Sequence, residues 1–217
     1  MVVKDKILAR KLASINYSEA NKALKEVIAQ VQKGVQLTSQ DLKYILNIPE
    51  KSLIGDFLIE IDSFTEEQLK IIENYVISNF DHEDRDFVSD LIDVATTESL
   101  NLPYTRCLQL LNNSSERESY VVSSVISYIM SQPKFNFIDE IFLALTNILE
   151  DSSFYQNAQV KASFCLFRMT HDKKYLQDLI DLVEEGQEIN RELLKNILLL
   201  DCNSSMYFHV DELERYR

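Results

Sequence analysis

Three histidines, three cysteines and one dense run of carboxylates are the residues through which this chain could do chemistry. His82, His171 and His209 stand far apart. None belongs to a His-Glu-x-x-His pair and none joins a Cys-x-x-Cys cluster, so the spacing offers no zinc site. Cys107, Cys165 and Cys202 each fall in or beside an apolar helical stretch, the pattern of buried, reduced thiols. Cys165 and His171 are six residues apart and would face different sides of one helix, which does not make a nucleophile and its base. Three glycines cannot build a phosphate cradle, and no Gly-x-Ser-x-Gly turn occurs. The run Asp81-His82-Glu83-Asp84-Arg85-Asp86 lacks the glycine and the closing glutamate of a calcium loop. The expectation is a non-enzymatic chain with no catalytic residue, no cofactor and no metal.

What the carboxylates offer instead is a field. Net charge is −13, unevenly spread. Residues 1–50 carry +3, residues 51–100 carry −10, residues 101–150 carry −2 and residues 151–217 carry −4. Phosphate contacts supply most nucleic-acid affinity and need the opposite sign, so DNA and RNA are excluded as expected partners. Glu83, Asp86, Asp90 and Asp93 share one helical face, while Phe87, Val88, Leu91 and Ala95 share another. Like charges three and four residues apart repel by a few tenths of a kcal/mol per pair, and a basic partner would relieve that repulsion. Glu66, Glu73, Asp81, Glu83, Asp86, Asp90 and Asp93 are therefore the candidate partner-binding residues. Acids in the turn itself also have a simpler role, favouring the N-terminus of the next helix.

The elements that position these residues are helices. Apolar residues make up 46% of the chain, enough for a sizeable core, and Gly and Pro number only three each, too few for the turns of a sheet protein. Apolar residues recur at helical period almost throughout. One stripe is Ile7, Leu8, Leu12 and Ile15. Ser18 is placed to cap a second helix, which carries Ala20, Ala23, Leu24, Val27, Ile28 and Val31 and ends at Gly34. Thr65-Glu66-Glu67-Gln68 and Ser115-Glu116-Arg117-Glu118 read as capping boxes. Pro103 suits the first turn of a helix, Asp172 a cap, and Gly186 a helix end. The stretch at about 155–169 is apolar on nearly all sides, which predicts a helix packed between neighbours. Met206, Phe208, Val210 and Leu213 suggest a last helix. No run approaches the roughly 20 apolar residues of a membrane span, and no secretory signal is present, so a cytoplasmic location is expected.

Helical pairs recur. Val88, Val122, Val160 and Leu193 mark helix starts 34, 38 and 33 residues apart, a length typical of helical solenoids. The clearest unit runs Glu150-Asp151-Ser152-Ser153, Val160-Lys161-Ala162-Ser163-Phe164-Cys165-Leu166, His171-Asp172, then Leu176 to Glu185. It resembles the HEAT repeat, with Lys161 where that pattern prefers Arg. The resemblance implies an all-α fold, a right-handed superhelical stack of antiparallel helix pairs, and protein binding without a reaction. With no linker rich in Gly, Pro or Ser, residues 1–217 are expected to form one domain: atypical helices over 1–64, repeats over 65–200 and a C-terminal cap over 201–217.

The most concrete expectation is an immunity-type protein that neutralises a basic toxin, such as a nuclease, through its acidic surface. That analogy rests on size, charge and helical-repeat character. The alternative is an intracellular scaffold or adaptor that joins partners without neutralising an activity. The alternative to the acidic face as epitope is a merely soluble face, with the binding site elsewhere, as around Tyr207 and Phe208. A repeat-fold enzyme acting on nucleic acid ranks last, because the acidic balance opposes it.

Overall fold

The computed structural model describes residues 6–132, 135, 138–185, 188–202 and 213. Among them are twelve α-helices and no strand. None of these helices is long and apolar enough to cross a membrane. The chain forms two compact units, Met1–Leu102 and Pro103–Arg217.

The first unit holds α1 (Lys6–Leu12), α2 (Tyr17–Gln32), α3 (Ser39–Ile45), α4 (Ser52–Glu60), α5 (Glu66–Ser78) and α6 (Arg85–Thr97). Helices two apart in the chain are neighbours. α2 packs on α4 and α4 on α6, while α3 packs on α5; the Tyr44 hydroxyl ties α3 to α1 by donating to the Ala9 carbonyl at 2.7 Å. The chain thus lays its helices down in two alternating rows, which pack on each other through α1–α2 and α5–α6.

Local chemistry sets the boundaries. Asn16, not Ser18, caps α2, its side chain accepting from the Glu19 N–H. At the other end Gly34 takes φ +89. Its N–H reaches the Val31 carbonyl and the Val35 N–H reaches the Gln30 carbonyl, the paired bonds of a left-handed helix stop that only glycine enters without strain. The Thr65–Gln68 box forms as expected. Gln68 is itself buried, and its amide also donates to the Leu37 carbonyl at 2.8 Å, pinning the start of α5 to the segment before α3. A second box in this unit, Thr38 with Asp41, was missed because its reciprocal acid is Asp rather than Glu or Gln. The first stripe is only half right. Leu8 and Leu12 are buried, but Ile7 is 65% and Ile15 88% exposed; α1 stops at Leu12, so Ile15 lies in the loop beyond it.

The second unit holds α7 (Tyr104–Asn112), α8 (Tyr120–Ser131), α9 (Asp139–Glu150), α10 (Gln156–Thr170), α11 (Lys173–Glu185) and α12 (Glu188–Cys202). The alternation repeats: α7 packs on α9, and α10 lies between α8 and α12. α10 also contacts α9 and α11, and every residue from Ala162 to Phe167 is buried, as an apolar surface on all sides demands. Lys161, at the HEAT-like Arg position, staples α10 to α8 by donating to the Ser127 hydroxyl at 2.7 Å and the Ser123 carbonyl at 3.2 Å. The Ser163 hydroxyl donates to the Tyr175 carbonyl at 2.7 Å, tying α10 to α11.

Two hairpin turns of this unit are copies of one another. In Asn113-Ser114-Ser115 the Asn113 side chain accepts from the Ser115 N–H, and in Asp151-Ser152-Ser153 the Asp151 side chain accepts from the Ser153 N–H. They lie 38 residues apart, the same offset as Val122 and Val160, which are both buried near the starts of α8 and α10. The repeated unit therefore runs helix, Asx-Ser-Ser turn, helix, and pairs α7 with α8 and α9 with α10. The Ser115–Glu118 capping box does not form. Ser114–Glu116 is a 3-10 turn, Glu116 is buried accepting from the Ser119 hydroxyl at 2.7 Å, and α8 begins at Tyr120. Pro103 stands just before the first turn of α7 rather than within it. Asp172 precedes α11 and accepts from the Lys174 N–H. Gly186, Met206, Tyr207, Phe208, His209 and Val210 lie outside the described residues; Leu213 is buried.

Candidate protein-binding surface

The acidic residues of the first unit differ in burial and in what they hold. Glu66 and Glu67 are exposed in the first turn of α5, where they favour its positive end. Glu73 is half-buried and accepts from the Asn101 N–H at 2.8 Å, closing the segment that leaves α6. Asp84 caps α6 by accepting from the Phe87 N–H at 3.1 Å. Asp81 and Glu83 are exposed in the turn between α5 and α6, and Asp86 is exposed in the first turn of α6. Arg85, the cation of this run, folds back, its guanidinium donating to the carbonyls of Phe80 and His82 at 3.0 and 2.8 Å.

Asp90 differs from all of these. Asp90 is half-buried where α6 crosses α4. The cause is Gly55, in the middle of α4. A Cβ built there would stand 2.8 Å from the Asp90 Cβ, 3.1 Å from its Oδ2 and 3.3 Å from its Cγ. A glycine lets the two helices approach, and the approach covers the carboxylate. Burial, then the charges of Asp93, Asp56, Asp86 and Asp84, push its pKa up to about 6. Asp56, exposed on α4 and absent from the candidates named from sequence, thus joins the cluster. The signal that could have found it is a glycine within an apolar helical stretch, a common mark of close helix approach.

α5 and α6 pack together, but they run in opposite directions, with Glu73 beside Asn101 and the 79–84 turn at the other end. Glu66 therefore lies about 20 Å along α5 from that turn, away from Asp84 and Asp86. What the structure assembles is one compact group, Asp56 and Asp86 exposed with Asp90 and Asp93 half-buried, on the row of α4 and α6.

This geometry has a consequence for stability. The folded state holds the Asp90 proton more tightly than the unfolded chain, where Asp titrates near 4. The ionised carboxylate therefore costs stability above pH ~6, and the cost disappears as pH falls from 6 toward 4. Asp90→Asn should stabilise the first unit at pH 7.5 by about 1 kcal/mol, the full shift being reduced by solvent screening at this half-exposed position. The gain should vanish near pH 4 in urea titrations. A difference between the two proteins that does not change with pH would show that Asp90 is not strained.

Cys107 and Cys165 are buried and neither is in a disulfide, and burial pushes the Cys165 thiol up to about 12, so it stays protonated. His171 is exposed in a left-handed conformation (φ 57) at the end of α10. Among the described residues no group of His, Cys, Asp and Glu is arranged to hold a metal ion. No family model matches this chain, and neither any curated protein nor any solved structure shows significant similarity to it.

Proposed function

We propose that this chain is a non-enzymatic protein-binding module whose acidic surface on α4 and α6 receives a basic protein. In its most concrete form it is an immunity-type protein that neutralises a basic toxin, such as a nuclease, in the cytoplasm. The row-by-row packing within each unit, α2 on α4 on α6 and α3 on α5 in the first and α7 on α9 and α8 on α10 on α12 in the second, supports the finer architectural reading, a right-handed superhelical stack of antiparallel pairs of the HEAT kind.

The observation that carries the reading is the Asp90 carboxylate. It is half-covered, and burial first, then the charges of Asp93, Asp56, Asp86 and Asp84, disfavour its ionised form. Structural acids of this chain have N–H or hydroxyl donors, as Asp84 and Glu116 do. A lysine or arginine from a partner laid across Asp56, Asp86 and Asp90 would relieve the repulsion and gain charge-assisted hydrogen bonds. The exposed carboxylates would also draw a cationic protein in and speed its encounter more than they set final affinity.

The test uses variants that leave the fold alone. Asp56 and Asp86 are both exposed, so Asp56→Lys with Asp86→Lys should leave thermal unfolding within a few degrees of the parent. With the partner captured from host cells and then purified, the double variant should associate at least tenfold more slowly. The parent's association rate should fall steeply between low salt and about 0.5 M salt. An unchanged rate and affinity would reject the acidic surface. Assaying the partner's own activity with and without the chain then separates neutralisation from the alternative, a scaffold that leaves that activity intact.

A further inference from the structure

The other row of the first unit carries a groove of opposite character. It lies between α3 and α5 and has a volume of about 360 Å³. Its walls are Lys43, Leu46 and Asn47 on one side and Ile71, Asn74 and Tyr75 on the other. Leu46 is buried and makes an apolar floor, Ile71 and Tyr75 are half-buried, and Lys43, Asn47 and Asn74 are exposed at the rim. The Lys51 ammonium donates to the Leu46 carbonyl at 3.3 Å and lies 5.7 Å from the centre of the Tyr75 ring. Burial raises the Tyr75 hydroxyl to about 12, which keeps it protonated.

No carboxylate lines this groove. That is notable in a chain of net charge −13, and more so because α5 belongs to the stretch that carries −10. The groove offers an ammonium at its rim, carboxamides on both walls and an apolar floor. Those groups match an apolar side chain with a carboxylate beside it. A basic segment would meet Lys43 and find no counter-charge, whereas on α4 and α6 an acidic segment would meet Asp56, Asp86 and Asp90. The two surfaces select against each other's ligands.

We propose that the α3–α5 groove is a second docking surface, which takes a segment of a partner protein presenting Asp or Glu next to an apolar side chain. It is independent of the acidic surface, and the first unit then holds two different partners at once.

A display selection tests this. A random 12-residue peptide library is panned on the full chain, and the enriched peptides are synthesised and labelled for fluorescence anisotropy. The expected result is enrichment of peptides in which Asp or Glu adjoins a large apolar residue. Their affinity should fall at least tenfold for Lys43→Glu with Ile71→Ser. Lys43→Glu alone, at an exposed position, should cost several-fold with unchanged thermal unfolding, so the test survives if the double variant folds poorly. The proposal is overturned if nothing is enriched, if only Lys- and Arg-rich peptides are enriched, or if Lys43→Glu binds the peptides as tightly as the parent.

Discussion

Cys165→Asp should lower the unfolding free energy of the second unit by about 4 kcal/mol, the range expected when a charge is buried without a partner. Cys165 is 2% exposed in the middle of α10, a helix in contact with α8, α9, α11 and α12. Its surroundings already push a thiol up to about 12, by desolvation that the charge of Arg168 only partly offsets. A carboxylate placed there meets the same desolvation. Its folded-state pKa is raised, so the penalty is fully present at neutral pH and is relieved as pH falls toward the unfolded value near 4. Urea denaturation should therefore show the midpoint of the variant far below the parent at pH 7 and closer to it at pH 4.5. Cys165→Ser, which adds a hydroxyl but no charge, should lose about 1–2 kcal/mol. If Cys165→Asp unfolds like the parent at pH 7, α10 is not enclosed as described.

Gly55→Ala is the second large effect, and two opposed terms decide its sign. Alanine in a helix interior is favoured over glycine by about 1 kcal/mol. Against this, the new methyl would stand 2.8 Å from the Asp90 Cβ, an atom fixed to the α6 backbone that no rotamer change can move. The helices must part, and overpacking of this kind costs about 1–3 kcal/mol. We expect a net loss of about 1 kcal/mol in the first unit, with Gly55→Leu worse. Asp90→Ala should not rescue it, since the Cβ remains, whereas Asp90→Gly should. A double-mutant cycle between Gly55→Ala and Asp90→Gly should then show coupling of about 1 kcal/mol or more. If Gly55→Ala is neutral or stabilising, the close crossing of α4 and α6 is not a feature of the protein in solution.

These two effects mark different degrees of legibility. The enclosure of α10 could be read directly, because a helix that is apolar all round can satisfy that surface only with neighbours on all sides. Helix stops such as Gly34 and starts such as Thr65–Gln68 were equally legible, since the residues that set them lie within one turn of chain. The Asp41 cap escaped only because its acid is a rarer choice.

The sequence by itself thus determined that this is a helical protein, where most helices begin and end, which faces are apolar, and that the acid is concentrated in residues 51–100. Each follows from interactions spanning at most four residues or from composition. Only the tertiary structure decided that Asp56 and Asp90, 34 residues apart, share one crossing, and that Glu66 lies away from Asp86. It alone decided that Ile7 and Ile15 stay exposed, and that α3 and α5 leave a carboxylate-free groove. Helical periodicity says which side of a helix seeks a neighbour, but not which neighbour, at what distance or in which direction. Those depend on helix contacts made across tens of residues and, at Gly55, on the absence of a single methyl group.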